Sequence, residues 1–390
     1  MKKTLIALAA LGAMAGAAQA QSTVTIYGLL DANIGNYKTN QVNGAAISGL
    51  SQSKIDAGGL NGSRWGIRVS EDIGGGMAVI GNLESGFNLD TGASGQGGLL
   101  FGRRANVGIS SGFGTVTIGR NSSSYDDVSG DHAMMGATLF DPSNTNNGFT
   151  TTQAGALGTL AGNAVLLNHN GNGSGAHVTW VGFNTRFNNS IKYVSPNFGG
   201  FTGSFMYAFG EDKTSTVGAS STVSANLKYA NGPLLISGGY QSEGAARTAT
   251  TKPALTNTLL NVSYDFGVAK VGFGANRAKF KDVITTFSPT GVAVAAHELA
   301  AQKEYSLSVA VPLGATTLSA GYARSKGDDL GSSTGWGVQA LYSLSKRTTL
   351  YTGAVSTKNY SNVAANTMVI APTSSITRTT TYAAGIRHTF

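Results

Sequence analysis

Ser63-Arg64-Trp65-Gly66-Ile67-Arg68-Val69-Ser70 places its side chains in strict alternation. Trp65, Ile67 and Val69 fall on one face, and Arg64, Gly66, Arg68 and Ser70 on the other. Period two is the mark of a β-strand whose faces meet different surroundings. In a soluble sandwich the apolar face would be core and the arginines would meet water. In a membrane barrel the apolar face meets lipid and the arginines meet the lumen. Composition favours the barrel. Charged residues make up only 12% of the 390-residue chain, against about a quarter in soluble proteins. Glycines number 55 and prolines 7. No stretch after the first twenty residues approaches the roughly 20 apolar residues of a spanning helix. In a barrel an Arg on the lipid face costs roughly 2–4 kcal/mol at mid-bilayer, so Arg64 and Arg68 are expected to point inward.

The same alternation extends along the chain. From Thr23, Val24, Ile26, Gly28, Leu30, Ala32 and Ile34 share the outward face, opposite Thr25, Tyr27, Leu29, Asp31 and Asn33. Between Leu99 and Ser111 the outward set is Ala105, Val107 and Ile109, and the inward set Arg104, Asn106, Gly108 and Ser110. That phase puts Arg103 and Arg120 outward, at headgroup level or between subunits. Arg186, Asn188, Ser190 and Lys192 then alternate with Phe187, Ile191 and Tyr193. Connections alternate between short turns, such as Asn231-Gly232-Pro233 and Pro312-Leu313-Gly314, and longer polar loops around Ser48, Ser242, Pro289, Asp328 and Ala364. Short turns at one end and long loops at the other are the habit of outer-membrane barrels. The expected fold is all-β: a 16-stranded antiparallel transmembrane β-barrel with short periplasmic turns, long extracellular loops and an inward-folded constriction loop. The aromatic end at Phe390 fits closure of the last strand on the first, which removes an edge that lipid cannot solvate.

That constriction loop is residues 121–185, the longest stretch without a sustained period. It carries Asp126, Asp127, Asp131 and Asp141 and no Lys or Arg. A structureless segment of this length is unusual unless it has a task. The reading is that it folds into the barrel mouth, its four carboxylates facing Arg64, Arg68, Arg104 and Arg186.

Residues 1–20 read as a cleaved signal peptide: Lys2 and Lys3, an apolar run from Leu5 to Ala18, and Ala18-Gln19-Ala20 as cleavage site. Residues 21–390 then form a single barrel domain. The formal charge of +8 is not gathered into basic runs interleaved with aromatics, so no nucleic-acid partner is expected. Cysteine is absent, which excludes disulfides and thiolate chemistry. Gly108-Ile109-Ser110-Ser111-Gly112 matches the G-x-S-x-G esterase string but ends a strand and enters a β-turn, not the strand-to-helix elbow that chemistry needs. His132, His169, His177, His297 and His388 lack metal-ligand spacing. No cofactor, metal or enzymatic activity is expected.

Several segments resemble the trimeric general porins of Gram-negative outer membranes, in their β-proteobacterial branch. They are Thr23-Val-Thr-Ile-Tyr-Gly-Leu-Leu-Asp31, Ser63-Arg-Trp-Gly-Ile-Arg-Val-Ser-Glu-Asp72 with its triple glycine, and Leu83-Glu-Ser-Gly-Phe-Asn88. Phe101-Gly-Arg-Arg104, Ser111-Gly-Phe-Gly-Thr-Val-Thr-Ile-Gly-Arg120, Asn188-Asn-Ser-Ile-Lys-Tyr193, Ser195-Pro-Asn-Phe-Gly-Gly200, Tyr342-Ser-Leu-Ser-Lys-Arg347 and Phe390 continue the series. The resemblance implies a homotrimer in outer-membrane lipid and lipopolysaccharide, passing small hydrophilic solutes and ions by passive diffusion. It also implies a basic wall cluster facing the third extracellular loop, at Arg64, Arg104 and Arg186; Arg68 joins by parity alone. Inward bases outnumber inward acids on the strands, which leans toward anion preference. A substrate-selective channel for organic anions or sugars is the alternative; an outer-membrane enzyme barrel is disfavoured for want of a placed nucleophile and base.

Overall fold

The computed structural model describes residues 22–43, 46–143, 170–171, 176–177, 179–245, 247, 249, 252–287, 293–328, 331–358, 361 and 374–390. The signal-peptide expectation for residues 1–20 and most of the loop's closing half, 153–175, lie outside them. So do the side chains of His169, His177 and His297.

Sixteen strands close into one antiparallel barrel. They are β1 (Thr23–Asn43), β2 in two segments (Ala46–Ala57 and Arg64–Gly74), β3 (Met77–Gly86), β4 (Arg104–Ser111), β5 (Gly114–Ser122), β6 (Arg186–Val194), β7 (Phe201–Phe209) and β8 (Ser221–Asn231). The remainder are β9 (Leu234–Gly244), β10 (Ala254–Asp265), β11 (Lys270–Phe287), β12 (Ala293–Leu313), β13 (Thr316–Gly327), β14 (Gly331–Ser343), β15 (Thr348–Lys358) and β16 (Ser374–Thr389). Each strand pairs with its sequence neighbours, and β1 pairs with β16 in the register Leu29↔Thr389 to Asn43↔Ser374. Reciprocal backbone bonds between Gly28 and Phe390, at 3.1 and 3.0 Å, carry the closure to the last residue. No backbone edge faces lipid along this seam. A single helical turn, α1 (Asp126–Ser129), stands inside the barrel.

The burial pattern is inverted relative to a soluble protein. On β10, Asn257, Asn261 and Ser263 are buried while Leu260, Val262 and Tyr264 are exposed. Val24, Ile26 and Ile34 are each more than 60% exposed. Apolar side chains thus form the outer surface and polar ones the interior, which is stable only if hydrocarbon surrounds the wall. Aromatic pairs sit beside the short turns: Phe201 and Tyr229 at 4.5 Å, Tyr264 and Phe266 at 4.6 Å. Amphipathic rings at one rim mark a membrane–water boundary.

The short turns are residues 75–76, 112–113, 195–200, 232–233, 266–269, 314–315 and 344–347, all at one end with both termini. At the other end several expected loops are corrected to strand. Ser48 lies within β2, Ser242 within β9, and only residues 288–292 separate β11 from β12 around Pro289. Near Asp328, Gly327 pairs with Gly331; Ala364 lies outside the described residues. β1 and β12 each have 21 residues, or ~70 Å at about 3.3 Å per residue, far beyond an apolar band of ~25 Å. Beyond an apolar band of that height hydrocarbon no longer selects residue types, so the amphipathic signal disappears while the ladder continues.

Candidate pore constriction

The chain between β5 and β6 folds into the barrel and lies along one side of it. Its two arms meet where Ser123 N–H donates to Thr185 O at 2.9 Å. The outgoing arm then follows the inner wall strand by strand. Tyr125 N–H donates to Ser224 Oγ on β8 at 2.8 Å, and Asn261 on β10 donates to Val128 O at 2.7 Å. On β12, Ser308 Oγ donates to His132 O at 2.8 Å and accepts from Met134 N–H at 3.0 Å. Phe140 reaches β15, its ring 6.2 Å from that of Tyr351. The returning arm is held by two buried wall carboxylates. Glu304 of β12 accepts from Val181 N–H. Glu243 of β9 accepts from the backbone and side-chain amides of Asn184 at 2.9 and 2.7 Å.

Inward-facing glycines make room for this path. A side chain at Gly239 would meet Tyr125, at Gly274 the His132 ring, at Gly321 Met135, and at Gly337 the Phe140 carbonyl. Sequence reasoning missed this seat, although its signal was present: glycine recurs on the inward phase of β9, β11, β13, β14 and β15. His132 is wholly buried and stacked on Trp180, ring centroids 5.0 Å apart. Burial pushes its imidazole down to about 4, so it packs as a neutral ring at neutral pH.

With the loop against β8–β15, the open lumen faces β1–β6, the wall that carries the arginines. Arg64 is flanked by the charges of Arg103, Glu84 and Arg104. Arg186 is flanked by those of Arg103, Asp126, Arg120 and Glu84. Arg103 is therefore corrected from the outward face to the lumen: its Nε donates to Glu84 Oε1 at 2.7 Å. Glu84 in turn accepts from Tyr27 Oη, on the inward face of β1, at 2.8 Å. The regular ladder of β4 begins only at Arg104, so Arg103 lies outside it and the strand's alternation does not carry back to it. Arg120 donates to Gly102 O at 2.7 Å and to Asn188 Oδ1 at 2.6 Å.

Nearer the short-turn end, Arg68 and Arg104 line a cavity of about 560 Å³ with Asn82, Asn106, Asp127 and Lys192. The Arg68 guanidinium lies over the Tyr27 ring, 4.1 Å from its centroid.

The four loop acids separate into different roles. Asp126, at the start of α1, is the one placed among the charges around Arg186. Asp127 is paired with Lys192 at 2.6 Å, and Asp131 with Lys228 at 2.9 Å. Asp141, expected at the constriction, is instead buried at 3% exposure. Its Oδ1 accepts from the backbone and hydroxyl of Ser143 at 2.9 and 2.7 Å, a local Asx turn. Two loop acids are thus neutralised by wall lysines and one is spent on a turn. Among the described residues Arg64, Arg68, Arg104 and Arg186 have no carboxylate within ion-pair distance.

Comparison with known proteins agrees with this geometry. Residues 7–362 match the Gram-negative porin family. The chain belongs to the Gram-negative porins. This porin is 35% identical over 287 residues to outer membrane porin protein 32 of Delftia acidovorans, covering 72% of this chain and 71% of that one. It is 32% identical over 298 residues to an outer membrane porin protein of Bordetella pertussis, covering 71% and 69%. Among solved structures it is similar to an anion-selective porin from Comamonas acidovorans, with TM-score 0.70 and 26% identity over 95% of this chain and 100% of that one. The porin is an outer-membrane channel, and its sixteen strands are the transmembrane wall.

The pH response expected of this candidate constriction follows from Asp126. Burial pushes its carboxyl up to about 6; Arg186 pulls the other way and Asp127 adds to the rise. The raised value means that the folded state disfavours the ionised form, so the negative charge beside Arg186 is lost as pH falls through about 6. Lowering the pH from 7.5 to 5 is expected to move the reversal potential in a potassium chloride gradient toward the chloride equilibrium value. Asp126→Asn is expected to show the low-pH value at both pH values. A wild-type potential flat between pH 7.5 and 5 would contradict this assignment.

Proposed function

We propose that this porin is an anion-preferring diffusion pore, with residues 121–185 as its constriction and residues 1–20 removed on export. The observation that carries the reading is the surplus of guanidinium groups on the β1–β6 wall. Arg64, Arg68, Arg104 and Arg186 lack carboxylate partners among the described residues, while Asp127 and Asp131 are neutralised by lysines. Clustered charge of one sign in a low-dielectric pore focuses the field and concentrates the counter-ion. The Comamonas relative is described as anion-selective, which supports the same sign here. The solutes are small and hydrophilic, the oligomer is the homotrimer expected of the family, and the surroundings are outer-membrane lipid and lipopolysaccharide. The site is a passage, with no group assigned to catalysis.

Planar-bilayer recording of the purified porin across a potassium chloride gradient tests the proposal. The expected result is ohmic steps that close in thirds at high voltage, with a reversal potential on the chloride side of zero. A potential on the potassium side would overturn the anion preference. A folded barrel without steps would overturn the open pore.

A further inference from the structure

β2 is interrupted at residues 58–63, inside the barrel wall. Such a break strips backbone groups of their ladder partners where the membrane offers none. One carboxylate repairs it. Asp31 of β1 accepts from Gly59 N–H at 3.1 Å through Oδ1, and from Leu60 and Asn61 N–H at 2.9 and 2.8 Å through Oδ2. Its backbone carbonyl accepts from Gly58 N–H at 3.0 Å. Tyr351 of β15 adds a fourth donor to the carboxylate, at 2.5 Å. Asp31 is 0% exposed, and four donors offset its burial where a cation would otherwise be needed.

The repaired segment does more than bridge a gap. Leu60 packs into a buried cluster with Met135, Phe140, Tyr351 and Ala383. Met135 and Phe140 belong to the far end of the pore loop. Gly59 O accepts from Leu139 N–H of that loop at 2.7 Å. The loop leaves the wall at β5, crosses to β8–β15, and ends its outward course on a shelf built between β1 and β2.

We propose that Asp31 is a positioning residue for the constriction: it folds residues 58–63 into the shelf that fixes the far end of the loop. The proposal rests on the reading that this loop narrows the pore. An ordinary strand would pass this point without a break. The break places Leu60 and the Gly59 carbonyl where the loop can dock.

The test is single-channel recording on the intact porin. In Asp31→Asn an NH₂ group replaces one carboxylate oxygen, so the three backbone donors no longer find two acceptor oxygens. The expected result is a several-fold rise in low-frequency current noise and a higher mean conductance, in barrels whose heat-dependent gel shift stays close to wild type. Leu139→Pro, which removes the N–H donated to Gly59 and leaves every wall residue unchanged in sequence, is expected to reproduce the noise even where Asp31→Asn fails to assemble. Quiet current in Asp31→Asn and Leu139→Pro overturns the proposal, whatever happens to thermal stability. If the paired substitution of Arg64 and Arg186 still shifts ion preference in that case, the constriction reading survives and the shelf alone is wrong.

Discussion

Replacing Arg64 and Arg186 together by glutamine is expected to lower the chloride-to-potassium permeability ratio about tenfold at 0.1 M salt. A unit charge acts on an ion 4 Å away with ~1 kcal/mol in bulk water and about 4 kcal/mol at an effective dielectric of 20. Screening at 0.1 M acts over ~10 Å and trims the larger figure. Two charges then contribute ~1–2 kcal/mol, and roughly 1.4 kcal/mol is a factor of ten. Neither guanidinium has an acidic partner at ion-pair distance among the described residues, so both charges act on the permeating ion. Arg103 differs, because it is paired with Glu84 at 2.7 Å. Arg103→Gln leaves Glu84 without its ion pair, but the local net charge falls by the same single unit, so per substitution its effect on selectivity is expected to match that of Arg64 or Arg186. The measurement is the reversal potential in a potassium chloride gradient at low and high salt. A ratio unchanged at low salt would show that these arginines do not face the ion path.

The wall of this porin is legible wherever lipid faces one side of a strand. Ser63 to Ser70 reveals its orientation because hydrocarbon and water select opposite residue types at successive positions. The rule fails above the lipid. Thr39, Asn40, Gln41 and Asn43 in β1, and Ser48, Ser51, Gln52 and Ser53 in β2, are polar on both phases; they read as loop and fold as ladder. It also fails where the period is broken, as at Gly102-Arg103, where one residue outside the ladder reverses the assignment of a charged side chain. The loop exposes a third limit. Its composition shows only that it holds four carboxylates; pairing decides what each of them does. Lys192 and Lys228, far away in sequence, claim Asp127 and Asp131, and Ser143 two residues on claims Asp141. Only the folded chain leaves Asp126 beside Arg186.

Gly337→Leu is expected to disturb the pore more than any other single change on the β8–β15 wall. Gly337 is on the inward face of β14, and a Cβ there would drive into the Phe140 carbonyl and reach Pro142 at 3.3 Å. Backbone of the loop, not a flexible side-chain end, is what must yield. Overpacking a close contact costs ~1–3 kcal/mol, comparable with the few hydrogen bonds that hold the loop's far end. Phe140 is then displaced from Gly353 and Tyr351 toward the arginine wall, while Glu243 and Glu304 keep the returning arm in place. The expected result is a lower single-channel conductance with added flicker, in a barrel whose strands remain paired. The neighbouring Val338 provides the control. It is 43% exposed on the lipid face, and Val338→Leu is expected to leave conductance unchanged. Opposite outcomes from adjacent residues on one strand are what a loop seated on the inner face requires. Equal outcomes, both silent or both disruptive, would mean that the loop does not rest on β14 in the conducting porin.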